Sequence, residues 1–127
     1  EERLQAGLDG FLSFVEERRG AWRLLIRHSA DAGITATFER LFDEIAEAIG
    51  ALMAQEVPAT ASPEGIEFDM AVAAIARQLL GSIRAIADWW DENREITREQ
   101  ILVMVMEFSW VGMQRVAAGE TWTPAAD

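Results

Sequence analysis

The chain has 127 residues, half of them hydrophobic, no cysteine, and 22 acidic residues against 11 basic ones, all of them arginine. This length suits one domain that buries a core without a disulfide or metal staple, and the composition excludes disorder and cysteine chemistry. The formal net charge of −11 repels phosphate backbones, so we expect this chain itself not to bind nucleic acid.

Apolar residues recur at helical spacing along almost the whole chain, which predicts an all-α fold. No apolar run reaches the ~18 residues that cross a bilayer, so we expect no membrane association. The predicted helices cover residues 1–18, 21–29, 35–55, 63–92 and 97–117.

Several of these helices have recognisable ends. Ser62, followed by Pro63 and Glu64, is typical of a helix N-terminus. Thr97 and Gln100 have the spacing of a capping box, and Gly119 suits a helix C-terminus. The first helix has no capping signal and the chain does not begin with Met, so we expect a segment upstream.

The fifth predicted helix is apolar on two sides. One arc contains Ile101, Val105 and Phe108, and a second contains Met106 and Trp110. A chain of this size has one core, which covers one arc. We therefore predict that a second copy of the protein covers the other.

Residues that carry catalysis are scarce. A single histidine excludes a multi-histidine zinc site, and there is no glycine-rich phosphate loop and no Glu-x-x-His pair. Asp88, Asp91 and Glu92 are interpreted as a charged helix end in water. We predict no enzyme, no metal and no cofactor. A carboxylate-based hydrolase or isomerase, with Asp88 as its acid, is the alternative.

Bulky aromatic and Met side chains on several helices favour a small-molecule cavity over a uniformly packed core. His28 is either a hydrogen-bonding or pH-sensing group for such a ligand, or a polar group satisfied within the fold.

The order of these helices resembles the C-terminal domain of TetR-family transcriptional regulators. The resemblance rests on residues 8–25, the acidic third helix, residues 87–93 and the two-faced last helix, and it spans about residues 4–119. It implies a five-helix bundle, residues 1–127, that binds a hydrophobic effector and forms a homodimer. The last two long helices of each copy would then form a four-helix interface.

The resemblance also implies positions for both sites. The pocket would be lined by Trp22, Leu25, His28, Phe38, Phe42, Leu79, Ile83, Trp90, Met104 and Phe108. The dimer interface would contain Gly81, Ala85, Trp89, Leu102, Met106, Trp110 and Met113.

The family's helix-turn-helix cannot be fitted to residues 1–34, so DNA binding would belong to an N-terminal domain outside this chain. The implied protein is a cytoplasmic repressor whose ligand relieves DNA binding. The alternative is a structural dimerisation module with a filled core and no ligand.

Overall fold

The computed structural model describes residues 1–27, 32–58, 62–120 and 122–123. Within them the chain forms five helices and no strand, which confirms the all-α bundle. The helices are α1 (Glu2–Glu17), α2 (Arg19–Arg27), α3 (Ala32–Glu56), α4 (Phe68–Glu92) and α5 (Arg98–Ala117). His28, one of the predicted ligand residues, lies outside the described residues.

Helix α4 is the centre of the bundle. It packs along α3 in the most extensive contact between helices, and it also contacts α1 and α5. Helix α5 lies mainly against α1, and α2 bridges α1 and α3. Burial of each large core side chain contributes about 1.5–3 kcal/mol to folding. The core contains Leu8, Leu12, Val15, Trp22, Phe38, Leu79, Ile83, Ala87, Trp90, Ile101 and Val105.

Small residues bring α3 and α4 close together. Gly50 is buried, and a Cβ atom placed on it would lie 3.8 Å from the Cβ of Ala76 and 3.9 Å from a methyl of Val72. These distances are ordinary van der Waals contacts, so the two helices pack closely at Gly50. This contact holds one wall of the bundle in place.

Helix α4 is also, in the part of the chain that the structure describes, the one helix with the length and hydropathy needed to cross a membrane. Its 18-residue window has a mean hydropathy of 1.4, and a third of that window is buried in the bundle. Arg77 and Arg84 of α4 pair with Asp43 and Glu39 of α3. The apolar character of α4 is therefore explained by its place at the centre of a folded domain.

The predicted ends of α5 are confirmed. The Thr97 hydroxyl accepts from the Gln100 backbone N–H at 3.3 Å, and the Gln100 side chain accepts from the Thr97 N–H at 2.9 Å. After the helix, Gly119 has a φ of +79°, in the left-handed region that favours glycine, and donates its N–H to Val116. These local signals fix where α5 begins and ends.

The predicted start of α4 is wrong. Ser62 does not cap a helix, because its hydroxyl donates to the carbonyl of Ile66 at 2.6 Å. The Ile66 N–H donates to Pro63, and Gly65 has a φ of +80°, so these residues form a closed turn. A left-handed glycine cannot continue a right-handed helix, and α4 begins only at Phe68.

Candidate functional site

A large apolar cavity, partly open to solvent, lies between the helices, and all five helices contribute to its walls. Its volume is about 1480 Å³. Two long stripes provide most of the surface, one on α1 and one on α3. The α1 stripe contains Leu4, Leu8, Phe11 and Phe14, and the α3 stripe contains Ile34, Phe38, Leu41, Phe42, Ile45, Ile49, Leu52 and Met53.

A chain of aromatic rings closes one end of the cavity. Trp22 of α2 packs edge-on against Phe11 of α1 at 5.4 Å between ring centroids, and against Phe38 of α3 at 6.3 Å. Phe38 in turn contacts Phe42 at 4.5 Å. Trp22 therefore links the second half of α1 to the first half of α3.

The few polar groups of the cavity are unevenly distributed. Among the described lining residues, the charged ones are Glu1, Glu2 and Arg3 at the start of α1 and Glu56 at the end of α3. Elsewhere the polar side chains are Thr37, whose hydroxyl donates to a backbone carbonyl, and Trp22. No group of residues in the described part could hold a metal ion. The lining of the cavity is therefore apolar along most of its length.

Six of the predicted ligand residues line this cavity together. They are Trp22, Leu25, Phe38, Phe42, Leu79 and Ile83. The α1 stripe and the later α3 residues were not predicted to line a ligand site, although their helical spacing marks them as inward-facing. Spacing alone does not distinguish a side chain that packs in the core from one that borders a void.

Trp90, by contrast, is a structural residue away from the cavity. It is fully buried, and its indole N–H donates to the carbonyl of Ile96 at 2.7 Å. The guanidinium of Arg19 lies 5.0 Å from the centre of its ring, at the distance of a cation–π contact. Trp90 thus secures the connection between α4 and α5 and the start of α2.

Asp91 is buried, although the sequence placed it in a solvated helix end. Two nitrogen atoms of Arg23 donate hydrogen bonds to its two carboxylate oxygens. Arg19 and Arg94 each have a nitrogen 3.6 Å from the same carboxylate. The hydrogen bonds from Arg23 hold the pKa of Asp91 below its ordinary value, against the opposing effect of burial. Asp91 therefore ties α2 to the last turn of α4.

Met104 and Phe108 do not line the cavity, contrary to the prediction. Met104 is 48% exposed and Phe108 is 79% exposed. With Val111 they lie on one face of α5, because they are spaced by four and three residues. Phe108 shares its predicted arc with Ile101 and Val105, but only those two earlier residues of the arc are buried.

Three predicted interface residues of α4 are also exposed. Gly81, Ala85 and Trp89 follow one another at intervals of four, so they share one face. A Cβ atom added to Gly81 would meet no atom within 4 Å, which leaves room for an approaching helix. We call these residues, with Met104, Phe108 and Val111, the α4–α5 apolar surface.

The four predicted interface residues of α5 lie elsewhere. Leu102 and Met106 are half-buried against the core, and Trp110 and Met113 line the cavity. Their contact with a partner stays a prediction. Their positions favour a role inside the subunit, because these side chains pack against the core or face the cavity of their own chain.

The comparisons with known proteins agree with this architecture. The family model of the tetracyclin repressor-like C-terminal domain matches residues 1–112. No curated protein and no solved structure matches the chain. The matched range covers α1 to α4 and most of α5, which together build the cavity and the α4–α5 apolar surface. The chain therefore belongs to the family of TetR-like C-terminal domains, the effector-binding and dimerisation domains of transcriptional regulators.

Proposed function

We propose that this chain senses a hydrophobic small molecule and pairs two copies of a TetR-like transcriptional repressor. The observation that carries the proposal is the apolar cavity of about 1480 Å³. Typical ligand pockets have volumes of about 300–1,000 Å³, so this one accommodates a whole ligand. Its lining supports binding without catalysis.

The size of the cavity argues against a module with a filled core. Protein interiors are close-packed, and side chains that border a void lose the dispersion contacts of a packed neighbour. The exposed α3 side chains Leu41, Ile45 and Leu52 line the same cavity. A ligand in the cavity would cover this apolar surface and restore those contacts.

The α4–α5 apolar surface supports the second half of the proposal. Exposed apolar side chains on two long helices favour an interaction site, and a pair of helices on each copy would form a four-helix interface. DNA binding is assigned to a domain outside these 127 residues, in the cytoplasm, since the net charge of −11 repels DNA. The ligand would relieve DNA binding by favouring one dimer arrangement over another.

A thermal-shift screen with lipophilic compounds tests ligand binding. A ligand at 100 times its Kd should add about 2.7 kcal/mol to the free energy of unfolding. Ile45→Trp, which adds a ring to an exposed wall of the cavity, should abolish this stabilisation. Met70→Trp is the matched control, because Met70 is 69% exposed and does not line the cavity. The proposal would be refuted if the ligand stabilised Ile45→Trp and Met70→Trp equally. It would also be refuted if no compound stabilised the parent chain or either variant.

A further inference from the structure

We propose that the cavity takes a ligand with a long, unbranched hydrocarbon chain, which lies along α3 with its tip beside Phe38 and extends towards Leu52. The inference rests on the proposed ligand-binding function and specifies the class of ligand. Three features of the cavity carry it: its elongated shape, the deep burial of one part of its lining, and the exposed apolar side chains that continue from that part.

The cavity is elongated along α3. Residues of α3 that border it recur at every turn from Ile34 to Glu56, over which the helix rises about 33 Å at 1.5 Å per residue. A spherical cavity of about 1480 Å³ would be only about 14 Å across, less than half that length. A compact ring system would therefore occupy one part of the cavity, whereas an extended chain can follow its whole length.

The lining is most deeply buried around Phe38. Phe38 of α3 and Ile83 of α4 are both buried and both border the cavity. The guanidinium of Arg84 lies 5.2 Å from the ring centre of Phe38 and 5.3 Å from that of Phe42, and it pairs with Glu39. The α4 side chains thus cover this part of the cavity. An apolar chain tip gains most free energy here, because its burial is greatest.

From Phe38 the cavity extends much further in one direction than in the other. Along α3 the rise from Phe38 back to Ile34 is about 6 Å, and the rise forward to Leu52 is about 21 Å. The longer part is bordered by Leu41, Ile45 and Leu52, which are all exposed. A chain that runs towards Leu52 removes this apolar surface from water, which favours that direction.

The length of a hydrocarbon chain can be matched to these positions. With carbon–carbon bonds of about 1.5 Å, an extended chain rises about 1.3 Å per carbon. A chain of eight carbons that starts at Phe38 therefore ends near Ile45, and one of about sixteen carbons reaches Leu52. Chain length thus determines which α3 residues the ligand contacts.

Three probes with the same uncharged head group test this arrangement. They are the octyl, dodecyl and hexadecyl ethers of octaethylene glycol, each used below the concentration at which it forms micelles, with Kd measured by equilibrium dialysis against the 127-residue chain. Complete burial of one methylene group strengthens binding about fourfold. Because the cavity is open along one side, we expect about twofold per methylene, and so roughly 16-fold for each addition of four carbons.

A pair of variants separates contact at Leu52 from general hydrophobic attraction. Leu52→Glu places a charge on an exposed part of the lining, where it stays hydrated in the free protein. We expect the gain from dodecyl to hexadecyl to fall below about threefold in this variant, while the gain from octyl to dodecyl persists. The matched control is Leu24→Glu, because Leu24 is exposed and does not line the cavity. The control should retain both gains.

The possible failures are distinct. A full gain from dodecyl to hexadecyl in Leu52→Glu would overturn the proposed path of the chain, while the proposed effector site stands. An equal loss of that gain in Leu24→Glu would overturn it too, because the effect would then come from net charge. If no ether binds but compact lipophiles still stabilise the chain in the thermal-shift screen, the ligand class is wrong and the proposed function stands. If neither kind of compound binds, both proposals fail.

Discussion

Replacement of Phe108 by Glu is the most direct test of the α4–α5 apolar surface. Phe108 is the most exposed large hydrophobic residue of α5, with 79% of its surface accessible. Met104 and Val111 flank it on the same face. In a symmetric dimer each such residue occurs twice at the interface, so one substitution introduces two charges.

The expected effect follows from the exposed area. A phenylalanine buries about 150–250 Å² when covered, so the 79% that is exposed corresponds to roughly 160 Å² per copy. At ~25 cal/mol per Å² this amounts to at most about 4 kcal/mol per copy. If the partner covers half of that area in each copy, the dimer loses about 4 kcal/mol, which raises its Kd nearly a thousandfold.

Sedimentation velocity at micromolar concentration should show a dimer for the parent chain and a monomer for Phe108→Glu, with helical content unchanged by circular dichroism. Val103→Glu is the matched control. Val103 is 55% exposed, but it shares its face of α5 with Glu107 and should remain dimeric. A monomeric parent would refute the reasoning. So would a dimer that survives Phe108→Glu but is split by Trp110→Glu, since the other arc of α5 would then be the interface.

Three further substitutions test the fold by chemical denaturation. Asp91→Asn should lower the free energy of unfolding by about 2 kcal/mol near neutral pH, because it removes the carboxylate that accepts hydrogen bonds from the partly exposed Arg23. The pKa of Asp91 is lower in the folded state than in the unfolded state. At a pH above its pKa in the unfolded state, the ionised carboxylate therefore stabilises the fold. This contribution is lost as the pH falls through the pKa of Asp91 in the folded state. A penalty that stays constant from neutral pH to about pH 3 would contradict this assignment. Thr97→Ala should cost about 1 kcal/mol through loss of the capping box, with Thr123→Ala in the tail as a neutral control. Leu12→Ala should cost about 2–5 kcal/mol because Leu12 is completely buried, and a cost below 1 kcal/mol would contradict its place in the core.

Helix ends were predictable where the signal was wholly local. The capping box of Thr97 and Gln100 involves two side chains and two backbone groups within one turn, so the sequence contains all of its partners. Ser62 and Pro63 carry an equally good local signal. There Gly65 adopts a left-handed conformation, and residues 62–66 form a turn instead of a helix start. The Ser62 hydroxyl donates to the carbonyl of Ile66 within this turn, so it does not cap α4.

Which residues border the cavity was predictable in part, for a similar reason. Trp22, Phe38 and Leu79 were assigned correctly to the cavity walls because each is the inward residue of a strongly amphipathic helix. Trp90 has the same pattern, yet it is fully packed and hydrogen-bonded to Ile96. The boundary between core and cavity depends on how far α1 and α3 stand apart, and no single helix encodes that distance.

Asp91 was missed because its partners are distant in sequence. Arg23 is 68 residues away, and only the packing of α2 against the end of α4 brings the two side chains together. A buried carboxylate is costly unless it is paired, so the arginines and the aspartate must be positioned together. A run of acidic residues at a helix end gives no sign of this pairing.

The exposure of Phe108 shows what the apolar pattern of α5 does not contain. The sequence places Ile101, Val105 and Phe108 on one arc, and hydrophobicity alone gives that whole arc to the core. Arg98 pairs with Asp9 and Glu16 of α1, and the residues that follow it on this arc, Ile101 and Val105, are buried in the core. Phe108, one turn later, is 79% exposed. Burial along an arc depends on how far the neighbouring helices follow it, and that distance is set by the packing of the whole bundle.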